Sequence, residues 1–334
     1  MLGLIGVLLA AAIAAGGVSL YKHFYSPTAF VENYLSLLSQ GRAADALLVP
    51  GVAIDSEELD AAGLPTYSSD ALLRPDALAP LSEVRTVSEV ADGDTTRVTV
   101  DYRAGSFAGT STFSVVRDGW IGVVPAWRFA QTPLSVIDLT VRGSMRFDVN
   151  GFEIDKRQVS PDGADADPMA SVPLLVFSPG LYEVAVDTAI SATSGVKVLS
   201  DAPLADVPID LQAEPTEKFI GVVQERVEDF LSGCATQRVL QPTGCPFGFS
   251  VQNRVEEPPV WSIAAQPTVQ VVPDGASWAI PTAEAVAHIE VDIRSLFDGS
   301  VREVSEDVPF TIDGTITVEP DGTASISIGG SNSP

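Results

Sequence analysis

The chain has few side chains able to do chemistry. It carries two histidines in 334 residues, His23 and His288. His23 sits in the collar Tyr21-Lys22-His23-Phe24-Tyr25 and reads as interfacial. That leaves His288 for general acid–base work or ligation by imidazole. Residues 285–294 alternate, with Ala285, Ala287, Ile289, Val291 and Ile293 on one face and His288, Glu290, Asp292 and Arg294 on the other. In a strand, successive members of that polar row stand about 6.6 Å apart. Facing a concavity, the four would line a polar pocket for a ligand or cation. On a solvated sheet face, the same four residue types simply meet water.

The remaining candidates are weaker. Asp162, Asp165 and Asp167 alternate through a loop in the manner of oxygen ligands for calcium, but the order is not that of an EF-hand and no acidic residue closes the site, so a flexible acidic turn is the better reading and no metal site is assigned. Asp55, Glu57, Glu58 and Asp60 read as a solvated helical turn. Trp120, Trp127, Trp261 and Trp278 lie in extended contexts and read as core or edge-packing residues rather than as a sugar platform, with Trp261 beside Pro258-Pro259 expected to be the most exposed. The chain contains no G-x-S-x-G, H-E-x-x-H, P-loop, G-x-G-x-x-G or S-x-x-K with K-T-G. No cofactor is implied, and the expectation is a protein that is not an enzyme.

The two cysteines, Cys234 and Cys245, lie eleven positions apart in FLSGCATQRVLQPTGCPFG and read as one disulfide, which implies an oxidising compartment. Half a metal site is the competing reading, with spacing unlike that of a zinc knuckle. Lys plus Arg number 19 against 44 Asp plus Glu, a formal net charge of -25, which argues against nucleic acid or anionic lipid as an electrostatic partner. Hydrophobic residues make up 46% of the chain and mean hydropathy is +0.23, so packed cores are expected.

Met1 to Leu20 contains no charged side chain. Twenty helical residues span about 30 Å, the thickness of a bilayer's hydrocarbon core. Residues 1–21 therefore read as a transmembrane helix that holds the rest of the chain, extracytoplasmic, at the cell membrane. A cleaved signal peptide competes, because Ala12-Ile13-Ala14 and Ala15-Gly16-Gly17 offer small residues, but no Lys or Arg precedes the apolar run. Lys22 on the carboxyl side votes for the opposite orientation under the positive-inside rule.

The elements that would position these residues fall into three expected modules. Residues 26–131 open with helical spacing at Phe30, Tyr34, Leu37 and Leu38 and continue as strands, an α+β pattern. Residues 132–214 read as a small all-β sandwich, with Asn150-Gly151 as a hairpin turn and Ser178-Pro179-Gly180 as a second turn. Residues 215–330 return to helix then strands, with Phe219, Val223, Val227, Phe230 and Leu231 as the apolar stripe of the helix. Asp274-Gly275, Asp298-Gly299, Asp313-Gly314 and Asp321-Gly322 are read as its turns. The fold class expected is α+β.

A resemblance follows from these segments. SPTAFVENYLSLLSQGRAADAL, with strands ending in Trp127-Arg128-Phe129, looks like the nuclear-transport-factor-two-like cone fold. FDVNG at 147–151 and VFSPGLYEV at 176–184 resemble the small sandwich repeats of surface proteins. Anchor, cone, sandwich and second cone-like module together are similar to the extracytoplasmic part of the teicoplanin-resistance-associated membrane protein family, and to uncharacterised actinobacterial membrane proteins. The family's cytoplasmic zinc ribbon is missing here. The resemblance implies an envelope-stress or scaffolding protein that binds a cell-envelope protein or cell-wall component. The other reading is a receptor for a small molecule or cell-wall fragment, with the His288 row as the wall of a cone pocket.

Overall fold

The computed structural model describes residues 24–122, 124–319 and 323–332. The expected membrane helix over 1–21 lies outside them, and among the described residues no helix is long and apolar enough to cross a membrane. The expected α+β class is corrected: the protein is mostly β, with 48% strand and 18% helix spread over several sheets, and does not show cone-like α+β modules. The cause lies in the length of the strands. Asp313-Gly314, read above as a turn, sits inside one continuous 18-residue strand, Val301–Val318. A side chain on Gly314 would fall 2.6 Å from the Ser327 carbonyl oxygen and 3.2 Å from Ile280. The glycine lets neighbouring strands approach closely rather than reversing the chain.

The chain clusters into two compact units. The first runs up to Val141 and adds Met145–Val186 and Ser194–Leu211, while the second comprises Arg142–Ser144, Asp187–Thr193 and Gln212 onward.

In the first unit, helix α1 (Pro27–Ser39) starts where the Ser26 hydroxyl accepts a hydrogen bond from the Ala29 amide and Pro27 takes the first turn. It buries Val31, Tyr34, Leu35, Leu37 and Leu38. Short helices α2 (Ala43–Leu47) and α3 (Ser56–Ala61) follow, the latter closed by a capping box between Asp55 and Glu58. Strands β1 (Leu81–Asp92), β2 (Thr95–Ala104), β3 (Phe107–Ile121) and β4 (Val124–Phe129) form an antiparallel meander in that order. Tyr34 meets Phe113 and Phe129 edge-on in the core and the two phenylalanine rings are tilted to each other, with ring centroids 5.2–6.2 Å apart.

The rest of the unit is two small sheets. One has the order β11-β5-β8, from Asp206–Gln212, Leu134–Arg142 and Val172–Phe177. The other has the order β10-β9-β6-β7, from Val196–Ser200, Gly180–Ala185, Arg146–Val149 and Phe152–Asp155. A short helix, α4 (Lys156–Val159), follows β7. The β6–β7 turn is Asn150-Gly151, both with positive φ as a tight hairpin requires. Asn150 donates to the carbonyls of Ala77 and Leu181 and accepts from the Glu183 amide, so it joins the hairpin to β9.

In the second unit, helix α5 (Glu217–Ala235) is capped by Thr216 and buries Phe219, Val223, Val227, Leu231 and Cys234, one face at four-residue spacing. A six-stranded sheet supplies the opposing apolar surface, built on β13 (Ser277–Arg294). β12 (Val260–Ala265) pairs with one edge of β13 and β14 (Val301–Val318) with the other, and β15 (Ala324–Asn332) pairs with β14.

Candidate functional site

β13 carries the polar row. Ala285, Ala287, Ile289, Val291 and Ile293 are buried in the second unit's core, and His288, Glu290, Asp292 and Arg294 point to the opposite, open face. The period-2 pleat accounts for the alternation.

The cross-strand register decides who meets whom. His288 lies opposite Asp307 and Glu290 opposite Ser305. Nδ1 of His288 is 2.7 Å from an Asp307 carboxylate oxygen, Nε2 is 3.1 Å from the Ser305 hydroxyl, and Glu290 stands 3.9 Å from Nε2. Ser305, His288 and Asp307 thus follow the order of a nucleophile, base and orienting carboxylate. The surroundings do not match that chemistry. The Asp307 side chain is 67% exposed, where the orienting carboxylate of such a relay is buried, and the three groups lie on a sheet face rather than in a cavity. The arrangement holds the imidazole in place between Asp307 and Ser305.

At the end of the strand Arg294 does something separate. Nε and Nη2 donate to the two carboxylate oxygens of Glu256 at 2.7 and 2.8 Å, and Nη1 donates to the Gly299 carbonyl at 3.0 Å. The Arg294 hydrogen bonds hold the Glu256 carboxyl below its ordinary range and raise the guanidinium in return. The Glu256 amide donates to the Asp292 carbonyl at 2.9 Å. Of the four predicted residues, then, His288 and Glu290 share one cluster and Arg294 belongs to a clasp about 20 Å along the strand. Asp307 and Ser305 reach the row from β14 through a register that composition does not reveal, and Glu256 reaches it from the bend that follows Arg254-Val255, the short segment paired with the end of β13.

Elsewhere, Cys234 and Cys245 stand at disulfide distance, with Cα atoms 5.8 Å apart, tying the end of α5 to the loop after it. Near the Asp-rich loop, Lys156 is buried and its ammonium donates to the Pro168 carbonyl at 2.8 Å. Burial lowers its pKa against the pull of Asp167. A cation of the protein's own therefore already faces that loop. Among the described residues no cluster of three or more His, Cys, Asp or Glu is disposed to hold a metal ion. Trp261 is not exposed: it is buried, and its indole N–H donates to the Val239 carbonyl at 2.8 Å. The exposed tryptophan is Trp120. Set against known proteins, the chain matches no family model, no curated protein and no solved structure.

Proposed function

We propose that this is a non-enzymatic protein of the cell envelope, attached to the membrane by residues 1–21 and carrying its β-rich units on the extracytoplasmic side, where it binds a cell-envelope partner. The observation that carries the reading is the turn between β13 and β14. Two 18-residue strands, each roughly 60 Å long, are joined by a six-residue loop that carries Leu296 and Phe297, which are 73% and 99% exposed. Large apolar side chains at so exposed a tip are expected where a partner covers them. The cysteine pair supports an oxidising compartment. The net charge of -25 supports a partner other than nucleic acid. The apolar run from Met1 to Leu20 and the family resemblance of FDVNG and VFSPGLYEV point to the same place.

The test is photo-crosslinking in cells that make the full chain. Benzoylphenylalanine replacing Phe297 should give a discrete adduct with an envelope component, and protease added outside the cell should cleave the chain. The same probe at Val222, exposed on α5, is the control. Identical adduct patterns from the two positions, or protection of the whole chain from protease, would sink the reading.

A further inference from the structure

We infer that one edge of the first unit, formed by Phe24, Tyr25, Trp120, Ile121 and Trp127, seats in the headgroup region of the same bilayer that residues 1–21 enter. The inference rests on the reading of that segment as a membrane anchor.

Four of the five are joined by specific contacts, and Ile121 follows Trp120 in β3. The Trp127 indole N–H donates to the Tyr25 carbonyl at 2.9 Å, holding the chain's approach to α1 against β4. Trp120 pairs across the β3–β4 hairpin with Pro125. The Arg117 guanidinium carbon lies 5.2 Å from the Trp120 ring centroid and 5.6 Å from that of Trp127, so one cation serves both indoles. Phe24, Tyr25, Phe30, Pro125 and Trp127 line an open groove of about 560 Å³. Although a core is available to this unit, Phe24 is 62%, Tyr25 44%, Trp120 59% and Ile121 73% exposed.

Chain length selects the occupant. Only Tyr21, Lys22 and His23 separate Leu20, the end of the charge-free run, from Phe24. Four residue steps reach at most about 14 Å. With Leu20 at the hydrocarbon boundary, Phe24 is held within that reach of the headgroups, and Tyr25 and Trp127 are tied to it through their shared groove. Trp and Tyr, with an apolar body and a polar tip, are the side chains suited to that layer. Arg117 places its charge at phosphate level. Because the chain as a whole carries -25, the contact is aromatic and apolar and does not require anionic lipid.

The test uses the full chain in phosphatidylcholine vesicles, compared with vesicles of the same lipid brominated near the glycerol end of its acyl chains. Bromine should quench part of the tryptophan emission, and that loss should shrink in W120F and in I121D, which keeps all four indoles, and vanish in the double variant W120F/W127F. Trp261 and Trp278 are buried in the second unit and provide the unquenched remainder. If the chain floats with the vesicles but bromine quenches wild type and W120F/W127F equally, the edge does not touch lipid while the anchor stands. Trp120 shielded from aqueous iodide without bromine quenching would assign the edge to a second copy of the chain and overturn the inference. A chain that does not float removes both the anchor and the inference.

Discussion

Tyr182→Phe isolates one hydroxyl that closes the β8–β9 connection. Tyr182 is fully buried; its hydroxyl accepts from the Phe177 amide at 2.9 Å and donates to the Phe177 carbonyl at 3.1 Å. One oxygen therefore satisfies both backbone groups of a residue that is itself inaccessible to water. Phenylalanine keeps the ring and removes only that oxygen. The orphaned N–H should cost about 1–3 kcal/mol and the weakened carbonyl about 1 kcal/mol more, so the expected loss is about 2–4 kcal/mol. Gly180 offers a second view of the same contact, since a side chain there would fall 2.7 Å from both the Phe177 carbonyl oxygen and the Tyr182 ring. G180A should displace the ring and break the same bonds, so the double variant should lose less than the sum of the singles. The assay is urea unfolding followed by a probe of the first unit, with slopes compared to confirm that only the midpoint moves. Y102F is the control, because its hydroxyl has only a long 3.4 Å contact from Ser111 and its removal should cost less. A Y182F loss no larger than that of Y102F, or additive behaviour of G180A and Y182F, would refute the assignment.

Other outcomes follow from different parts of the molecule. Opening the Cys234–Cys245 bond, which closes a loop of eleven residues' separation, should destabilise the second unit by about 3 kcal/mol, read by calorimetry with and without reductant as a drop of roughly 10 °C. Burial raises the pKa of Tyr34 and of Tyr182 well above the ordinary phenol value. As pH climbs past about 10 the unfolded chain gives up tyrosine protons that the folded one keeps, so stability of the first unit is full below that pH and falls above it. Tyrosinate absorbance from these two residues should appear only with unfolding; an earlier, reversible rise equal to the full tyrosine count would contradict their burial. G51A combines a φ of +80° with a Cβ driven into the Phe129 backbone, whose amide is held by Pro50 at 3.0 Å. It should lower the urea midpoint by more than G63A, a glycine of similar φ with open space around it.

Where local rules act alone, the sequence was readable. The α1 start at Ser26-Pro27, the Asp55–Glu58 capping box, the Asn150-Gly151 hairpin and the α5 stripe each depend on residues within a turn or two of one another. The outward direction of the His288 row was likewise readable, because a two-residue period needs no knowledge of the partner strand. What the row would touch was not. Placing the β13–β14 turn at Asp298-Gly299 as a two-residue hairpin would set Phe297 opposite Ser300 and hence His288 opposite Pro309. In the structure Arg294 pairs with Val301, the loop spans six residues, and His288 meets Asp307 instead. The loop is wider because Ser295 and Ser300 organise it themselves: the Ser295 amide donates to the Ser300 carbonyl, and the Ser300 hydroxyl donates to Asp298. A shift of two residues keeps every side chain on its own face but exchanges every partner.

The same limit explains the tryptophans. Pro258-Pro259 made Trp261 look like a surface residue, yet its ring packs 4.9 Å from Phe247, which the Cys234–Cys245 link brings under the sheet. Nothing within ten positions of Trp261 encodes that. Trp120, by contrast, follows Asp118-Gly119 in a strand whose register with β4 shifts between Arg117 and Trp120. The shift ends the regular alternation that buries Phe113 and Val115, and it delivers Trp120 and Ile121 to the outside. The exposed aromatic edge is thus produced by an irregularity in pairing. That is why strand periodicity alone does not separate Trp120 from the indoles that pack inside.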